Sequence, residues 1–176
     1  MSVDGGDLLQ PVLLGPDAGE ARWWGDSLAI IKVSTETSAG RIAVIDNYGV
    51  EGASPPLHVH HNEGEGFYVI DGLLTIWAGG KVIDASAGSF VYGPPDVPHT
   101  FVVRSPTARY LFITEPAGFE RFVRAVSAPA ERITLPPLAI QQAQDVANMT
   151  TIAATYGIEI LGPPGIPPVQ GDTSEG

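Results

Sequence analysis

The sequence predicts an all-β domain, and three of its features support that fold class. Its 176 residues include 21 Gly and 16 Pro, and many of the Gly residues separate short runs rich in Val, Ile, Phe, Tyr and Trp. Such runs are typical of strands, and their close spacing favours a sandwich or barrel over a sheet with crossover helices. With 44% apolar residues, the chain can bury one sizeable core. The predicted strands are Leu28–Ser34, Arg41–Tyr48, Leu57–His60, Gly66–Ile70, Leu73–Ala78, Lys81–Asp84, Ser89–Tyr92, His99–Val103 and Arg109–Thr114.

Two turn signals lie in the middle of this series. Asp71-Gly72 and Gly79-Gly80 are dipeptides that tolerate positive φ. A hairpin turn of that kind needs only two residues between consecutive strands. We therefore expect Gly66–Ile70, Leu73–Ala78 and Lys81–Asp84 to form a tight antiparallel meander.

The spacing of the apolar residues changes after Pro116 and predicts two accessory helices. Both stripes follow the period of one helix face, and Gly157 is a suitable helix stop after the second. The stripes consist of Phe119, Phe122, Val123 and Val126, and of Val146, Met149, Ile152, Ala153 and Tyr156. We interpret both helices as elements packed on the β domain.

These elements predict a single domain over residues 1–161. Its barrel covers about 22–115, and its helical extension covers about 118–160. Residues 162–176, with the sequence GPPGIPPVQGDTSEG, carry too little apolar surface to fold alone, and we expect them to be a flexible tail.

The charge balance excludes several classes of partner. Twenty Asp and Glu residues against 9 Lys and Arg give a formal net charge of −11 and a pI near 4.5, which oppose binding to nucleic acid or to an anionic membrane. The first basic residue is Arg22, and no apolar run approaches the roughly 18 residues of a membrane span. We therefore expect a cytoplasmic protein. With no Cys in the chain, any metal must be held by His, Asp or Glu.

The placement of the His residues indicates a metal site. His58 and His60 are two apart on a predicted strand, so both can point at one ion while His61 faces away. Gly64 permits a bend after them, and either Glu63 or Glu65 can return a carboxylate to the same ion. The fourth His residue, His99, begins a later strand and can complete the site from across a sheet. Three imidazoles and one carboxylate suit Fe(II), Mn, Co, Ni, Cu or Zn and leave coordination positions open.

The residues around this cluster resemble the first motif of the cupin superfamily, G-x5-H-x-H-x3,4-E-x6-G. All positions match within GASPPLHVHHNEGEGFYVIDG, through Gly52, His58, His60, Glu65 and Gly72. The resemblance implies a double-stranded β-helix, the cupin jelly-roll barrel, over roughly residues 22–114. It also selects Glu65 as the metal ligand and leaves Glu63 as a solvated neighbour.

A second cupin motif, G-x5-P-x-G-x2-H-x3-N, is matched in part by GSFVYGPPDVPHTFVV. Gly88, Pro94 and His99 fit, whereas Asp96 stands where Gly is expected and Val103 where Asn is expected. The metal ligands are intact in both motifs. The resemblance therefore implies one divalent first-row metal ion bound by His58, His60, Glu65 and His99.

Alternation along the strands predicts an apolar pocket beside this ion. Glu65, Phe67 and Val69 share one strand face, and His99, Phe101 and Val103 share another. We assign the substrate pocket to Phe67, Val69, Phe90, Phe101 and Val103. A dry pocket next to an open metal site suits an aromatic ligand that chelates the ion.

Within the cupins, the chain resembles the single-domain quercetin dioxygenases of actinobacteria and related monocupins. The stretches PPLHVHHNEGEGFYVIDGLLTIW, PHTFVV, PAGFERF and YGIEILGPP carry this resemblance. It implies that a flavonol binds the metal through its 3-hydroxyl group and that O2 opens the heterocyclic ring, which releases carbon monoxide and leaves a depside. Glu65 is then both a ligand and the candidate base for the flavonol hydroxyl proton. The family also implies a homodimer.

Other classes of function remain open at this stage. The same scaffold could carry a metal-dependent isomerase, cyclase or decarboxylase of an aromatic or polyketide intermediate, which would turn over without O2. A non-catalytic cupin that binds a small molecule is another alternative. A DNA-binding sensor is disfavoured because the two helical segments lack a paired helix-turn-helix and a basic face. Metal-free sugar epimerisation is disfavoured because the ligand set is complete.

Overall fold

A computed structural model of the chain describes residues 10–137 and 146–168. Its strands form two antiparallel sheets arranged as a jelly roll. The first sheet has seven strands in the order β11-β1-β2-β3-β10-β5-β8, and the second has five in the order β12-β4-β9-β6-β7. The strands are β1 Glu20–Trp24, β2 Ser27–Val33, β3 Ala43–Val50, β4 Pro56–His60, β5 Gly64–Asp71, β6 Leu73–Ala78, β7 Lys81–Ser86, β8 Phe90–Gly93, β9 His99–Val103, β10 Thr107–Glu115, β11 Ala128–Pro129 and β12 Ile158–Pro164.

The helices of the described residues are α1 Thr35–Ser38, α2 Phe119–Val126 and α3 Val146–Thr155. The two predicted accessory helices are thus confirmed as α2 and α3, and Gly157, with φ 74°, follows the last turn of α3. None of these helices is long and apolar enough to cross a membrane.

Every strand predicted from the sequence is present, but only the second hairpin of the predicted meander forms. β6 pairs with β7 across Gly79-Gly80, whereas β5 pairs with β10 and β8 in the other sheet. Asp71-Gly72 is therefore a corner between the sheets. Gly72 has φ 87°, and a Cβ there would lie 2.6 Å from the carbonyl oxygen of Thr107 and 2.8 Å from Cα of Ala108. The tight approach of the chain at this corner admits only Gly.

Three strands were not predicted, and each lies at or next to the edge of a sheet. β1 and the two-residue β11 form one end of the seven-stranded sheet, and β12 is the end strand of the other. The Pro residues of β12 are tolerated because an edge strand has unpaired backbone groups. Residues 162–164, at the start of the predicted tail, belong to β12 and pair with β4. Residues 169–176 of that tail lie outside the described residues.

The main core fills the space between the sheets. It includes Ile45, Phe67, Leu74, Ile76 and Phe112, all at most 3% exposed. Helix α2 closes one side through Phe119 and Phe122, whose rings lie 5.9 Å and 6.1 Å from the ring of Trp24. The same packing brings α2 to the His residues, because the ring of Phe119 lies 5.1 Å from that of His60.

Candidate metal centre and cavity

The predicted ligands meet between the two sheets. His58 and His60 lie on β4 and His99 on β9 of the five-stranded sheet, while Glu65 projects from β5 of the seven-stranded sheet. His58 and His99 are directly opposite in register. All four residues are buried, and each offers one ligand atom so that these atoms lie within 4.8 Å of one another. Because side chains alternate along a strand, His58 and His60 both face inward from β4, as the sequence predicted.

Each imidazole is oriented by a hydrogen bond at Nδ1. His58 Nδ1 lies 2.7 Å from the carbonyl oxygen of Pro56, and His99 Nδ1 lies 2.9 Å from that of Val97. His60 Nδ1 lies 2.9 Å from Oε1 of Glu63. Because every partner is an acceptor, we assign the proton to Nδ1 in each ring, which leaves the Nε2 lone pairs for the cluster.

The donor atoms fit a divalent cation. His60 Nε2 is buried and has no hydrogen-bond partner among the described residues. His99 Nε2 and Glu65 Oε2 are 2.9 Å apart, and they would be two facing acceptors unless a proton or a metal ion lies between them. Three nitrogens and one carboxylate oxygen are a donor set that first-row divalent ions accept. The four residues are therefore able to hold such an ion.

Burial controls the protonation of this cluster. Burial, together with the nearby His99 and His60, lowers the pKa of His58 to about 3, so His58 is neutral at pH 7. Burial alone would raise the pKa of Glu65, but the hydrogen bond with His99 and the electrostatic influence of the surrounding imidazoles outweigh it and hold the pKa below its usual value. Burial would likewise lower the pKa of His99, whereas the hydrogen bond with Glu65 raises it. A cation between His99 and Glu65 would take the place of their shared proton.

The prediction that Glu63 is a solvated neighbour is wrong. Its side chain is buried, with the residue 3% exposed, and it holds His60 through the hydrogen bond described above. A buried carboxylate needs such a partner, because an unpaired one would lose its hydration without compensation. Carboxylates that accept from a metal-binding imidazole fix its ring and raise its basicity. The spacing of three residues between His60 and Glu63 was the signal that could have revealed this pair.

His61 lies on the surface, as predicted. Its Nδ1 is 2.6 Å from Oδ1 of Asp96, and its Nε2 is 3.3 Å from Oε2 of Glu159. These carboxylates raise the pKa of the exposed His61 side chain through hydrogen bonds. Asp96 has φ 63°, which explains why the cupin motif expects Gly at this position. Asp is one of the residues that tolerates the left-handed region, so the turn is kept.

An open cavity of about 790 Å³, counting the space at its mouth, adjoins the cluster through His58 and Glu65. Aromatic and aliphatic side chains from both sheets and from α2, α3 and β12 form most of its wall. They include Trp24, Phe101, Tyr110, Phe112, Phe119, Phe122, Met149, Ile158 and Ile160.

Of the predicted pocket residues, Phe101 lines this cavity. Phe67, Val69 and Val103 face inward as alternation predicted, but they are buried in the core and are not part of the wall. The prediction for Phe90 is wrong, because its side chain is 58% exposed on the outer face of the sheet. Phe90 pairs with Tyr68, which is also exposed, so this row of the register points to solvent.

Sequence reasoning missed most of the wall. Trp24 comes from the unpredicted β1, and Ile158 and Ile160 come from the unpredicted β12. The sequence predicted the apolar stripes of α2 and α3, but it did not predict that Phe119 and Met149 line the cavity. The polar wall residues Asn47 and Tyr110 lie inside predicted strands at inward-facing positions, and a polar residue at such a position was the available signal.

Two packed antiparallel sheets thus enclose a buried cluster of three His and one Glu that could hold a metal ion. The family model described as a cupin domain matches residues 48–114, which lie within the two sheets. A curated relative is the quercetin 2,3-dioxygenase of Bacillus subtilis strain 168, 27% identical over 121 residues, which are 69% of this chain and 36% of the relative. The match thus spans little more than a third of that relative's length.

Solved structures share the fold. An RmlC-like cupin from Shewanella frigidimarina is 17% identical with a TM-score of 0.55, covering 65% of this chain and 99% of that one. The polyketide cyclase RemF from Streptomyces resistomycificus is 18% identical with a TM-score of 0.53, covering 72% of this chain and 88% of that one. At these identities the likeness concerns the fold alone.

Proposed function

We propose that this protein is a metal-dependent dioxygenase that cleaves the heterocyclic ring of a flavonol such as quercetin with O2, releasing carbon monoxide and a depside. The observation that carries the proposal is the junction of the buried cluster with the aromatic cavity, through His58 and Glu65. The similarity to a quercetin 2,3-dioxygenase supports the same substrate class. In the reaction, both oxygen atoms of O2 enter the carbon products while one ring carbon leaves as carbon monoxide.

The ligand set of the proposed site is His58, His60, Glu65 and His99. When bound there, a divalent first-row ion supplies Lewis acidity that lowers the pKa of a coordinated hydroxyl group. The buried imidazoles hold their lone pairs toward the ion because their Nδ1 atoms are engaged elsewhere. Fold likeness does not identify the ion, so Ni, Mn, Co, Fe, Cu and Zn all remain candidates.

Glu65 has a second role in this proposal. Its carboxylate lines the cavity and is the acidic side chain that cavity and cluster share. The pKa of Glu65 is held below its usual value, so the carboxylate is ionised at pH 7 and one of its oxygens can accept the proton of the flavonol 3-hydroxyl group. The rings of Phe101, Phe112 and Phe119 exclude water from the flat substrate body.

The decisive experiment measures metal content, O2 consumption and carbon monoxide release with quercetin. We expect a stoichiometric divalent metal and one carbon monoxide for each O2 consumed. A metal-replete protein that binds flavonols and never releases carbon monoxide would contradict the proposal. Turnover of an aromatic substrate under nitrogen would instead assign the protein to the isomerase, cyclase or decarboxylase class.

We also propose that the protein forms a homodimer through the outer face of β5 and β8. β8 ends its sheet, so no other strand of residues 10–137 and 146–168 pairs with its outer edge. Tyr68, Phe90 and Tyr92 on these two strands are 40%, 58% and 54% exposed. An antiparallel edge with an apolar face is self-complementary about a two-fold axis, so a second copy of this chain can cover it.

A further inference from the structure

A buried amide and a buried phenol form a polar pair in the cavity wall. Asn47 on β3 and Tyr110 on β10 are opposite in register, are 1% and 0% exposed, and both line the cavity. Asn47 Nδ2 donates a hydrogen bond of 2.7 Å to Oη of Tyr110. Within the described part of the chain, Asn47 Oδ1 has no hydrogen-bond partner.

This pair is incompletely satisfied. The Tyr110 oxygen accepts from Asn47, so its own O–H remains to be donated, and residues 10–137 and 146–168 provide no acceptor for it. Turning the amide around would let Tyr110 donate to Oδ1 and would leave Nδ2 without an acceptor, so either orientation leaves one end of the amide unpaired. A buried polar group without a partner is costly. The pair is therefore suited to completion by a group that enters the cavity.

The pair and the metal cluster lie at different levels of the barrel. Along β5 and β10 the inward-facing rows are Glu65 with Thr114, then Phe67 with Phe112, then Val69 with Tyr110. Four residues of strand separate the first row from the third, which is about 13 Å. The ring of Phe112 lies between these levels, 5.2 Å from that of Tyr110. A ligand that reaches both ends must be polar at each end and apolar in between.

We propose that Asn47 and Tyr110 bind a hydroxyl group at the end of the ligand opposite to the end that meets the metal cluster. This inference rests on the proposed function and specifies its substrate class as a flavonol hydroxylated on an outer ring. One hydroxyl group satisfies both residues, because it donates to Asn47 Oδ1 and accepts from the O–H of Tyr110. A site built in this way discriminates against an analogue that lacks the hydroxyl group, since the two buried groups are then left unpaired.

The test compares quercetin with 3-hydroxyflavone by titration calorimetry under nitrogen with the metal-loaded protein. Both compounds carry the 3-hydroxyl group, but only quercetin carries hydroxyl groups on its outer rings. We expect wild type to bind quercetin about 10- to 100-fold more tightly. Tyr110→Phe and Asn47→Leu should lose most of this preference while binding 3-hydroxyflavone as wild type does. A purely structural role would weaken both ligands together.

The matched control is Thr75→Val, which removes the hydrogen bond that Thr75 donates to Asp84 and the one it accepts from Arg104, both outside the cavity, and should keep the preference. Measurements of metal content and thermal unfolding identify variants that do not fold. If Asn47→Leu does not fold, the test relies on Tyr110→Phe, which removes only one oxygen atom. Equal affinity of wild type for the two compounds, or no binding of either, overturns the inference. Carbon monoxide release with equal efficiency from both compounds overturns it while the proposed function stands. If the preference for quercetin depends on Tyr110 but no carbon monoxide is released, the inference holds and the proposed function is overturned.

Discussion

Glu63 is the residue whose substitution tests the organisation of the metal centre most directly. Its carboxylate is buried and accepts from Nδ1 of His60 at 2.9 Å. Glu63→Gln keeps an amide oxygen that can accept from the ring but removes the charge that raises its basicity. Glu63→Leu removes the acceptor altogether, so the ring of His60 is no longer fixed and its Nδ1–H is buried without a partner.

The expected loss follows from this difference. Removing a partner of a metal-binding imidazole costs about 10- to 100-fold in metal affinity, which corresponds to about 1.4 to 2.7 kcal/mol. Because Glu63→Gln retains the hydrogen bond, we expect about tenfold for it. We expect about 100-fold for Glu63→Leu. Competition with a chromogenic chelator at pH 7, with Ni²⁺ and Zn²⁺ in turn, measures the metal affinity of both variants.

Glu159→Gln is the matched control for Glu63→Gln, since it makes the same chemical change at a carboxylate that pairs with the exposed His61. It should leave metal affinity within about twofold of wild type, because a surface ion pair contributes little. Wild-type affinity in both Glu63 variants would refute the assigned role of the His60–Glu63 pair. An equal loss in Glu159→Gln would show that the effect is general electrostatics.

Three further predictions concern the proposed base, the accessory helix and the exposed face. Glu65→Gln should reduce the rate of flavonol cleavage far more than the bound metal, and equal losses of both would make Glu65 a ligand only. Glu120→Ala should lower the free energy of unfolding by about 3 kcal/mol in urea titrations. The buried carboxylate of Glu120 accepts hydrogen bonds from the backbone N–H and hydroxyl of Thr35 and from the N–H of Gly118. A change below about 1 kcal/mol would contradict this. Phe90→Glu should shift the protein to a monomer in light scattering at unchanged metal content, and an unchanged mass would exclude this face as the interface.

Part of the metal cluster was predictable because its geometry is local: His58 and His60 share a strand face by alternation. Glu65 and His99 were recognised through the two cupin motifs, and it is the pairing of β4 with β9 that places His99 opposite His58. The burial of Glu63, by contrast, depends on contacts with residues distant in the sequence. Whether a carboxylate in that turn is solvated depends on what packs over it, and here α2 places Phe119 against the ring of His60.

The cavity shows the opposite case. Asn47 and Tyr110 are 63 positions apart, and their contact depends on the pairing of β3 with β10. Alternation correctly turned Phe101 inward, but it could not separate residues of the wall from residues of the core behind it. Phe90 was assigned inward although its row of the register faces solvent, because a short strand of mixed apolar residues gives no clear phase.

The amino-acid sequence by itself predicted nine of the strands and the two accessory helices, since these depend on residue type and spacing over a few positions, and the cupin motifs added the candidate ligand set. Tertiary structure alone decided that Asp71-Gly72 is a corner between sheets, that Glu63 is buried on His60, and that Asn47 meets Tyr110 in the cavity. The physical reason is that burial and partner choice depend on which strands pair across long separations. Backbone periodicity specifies which way a side chain faces, and packing specifies what it meets there.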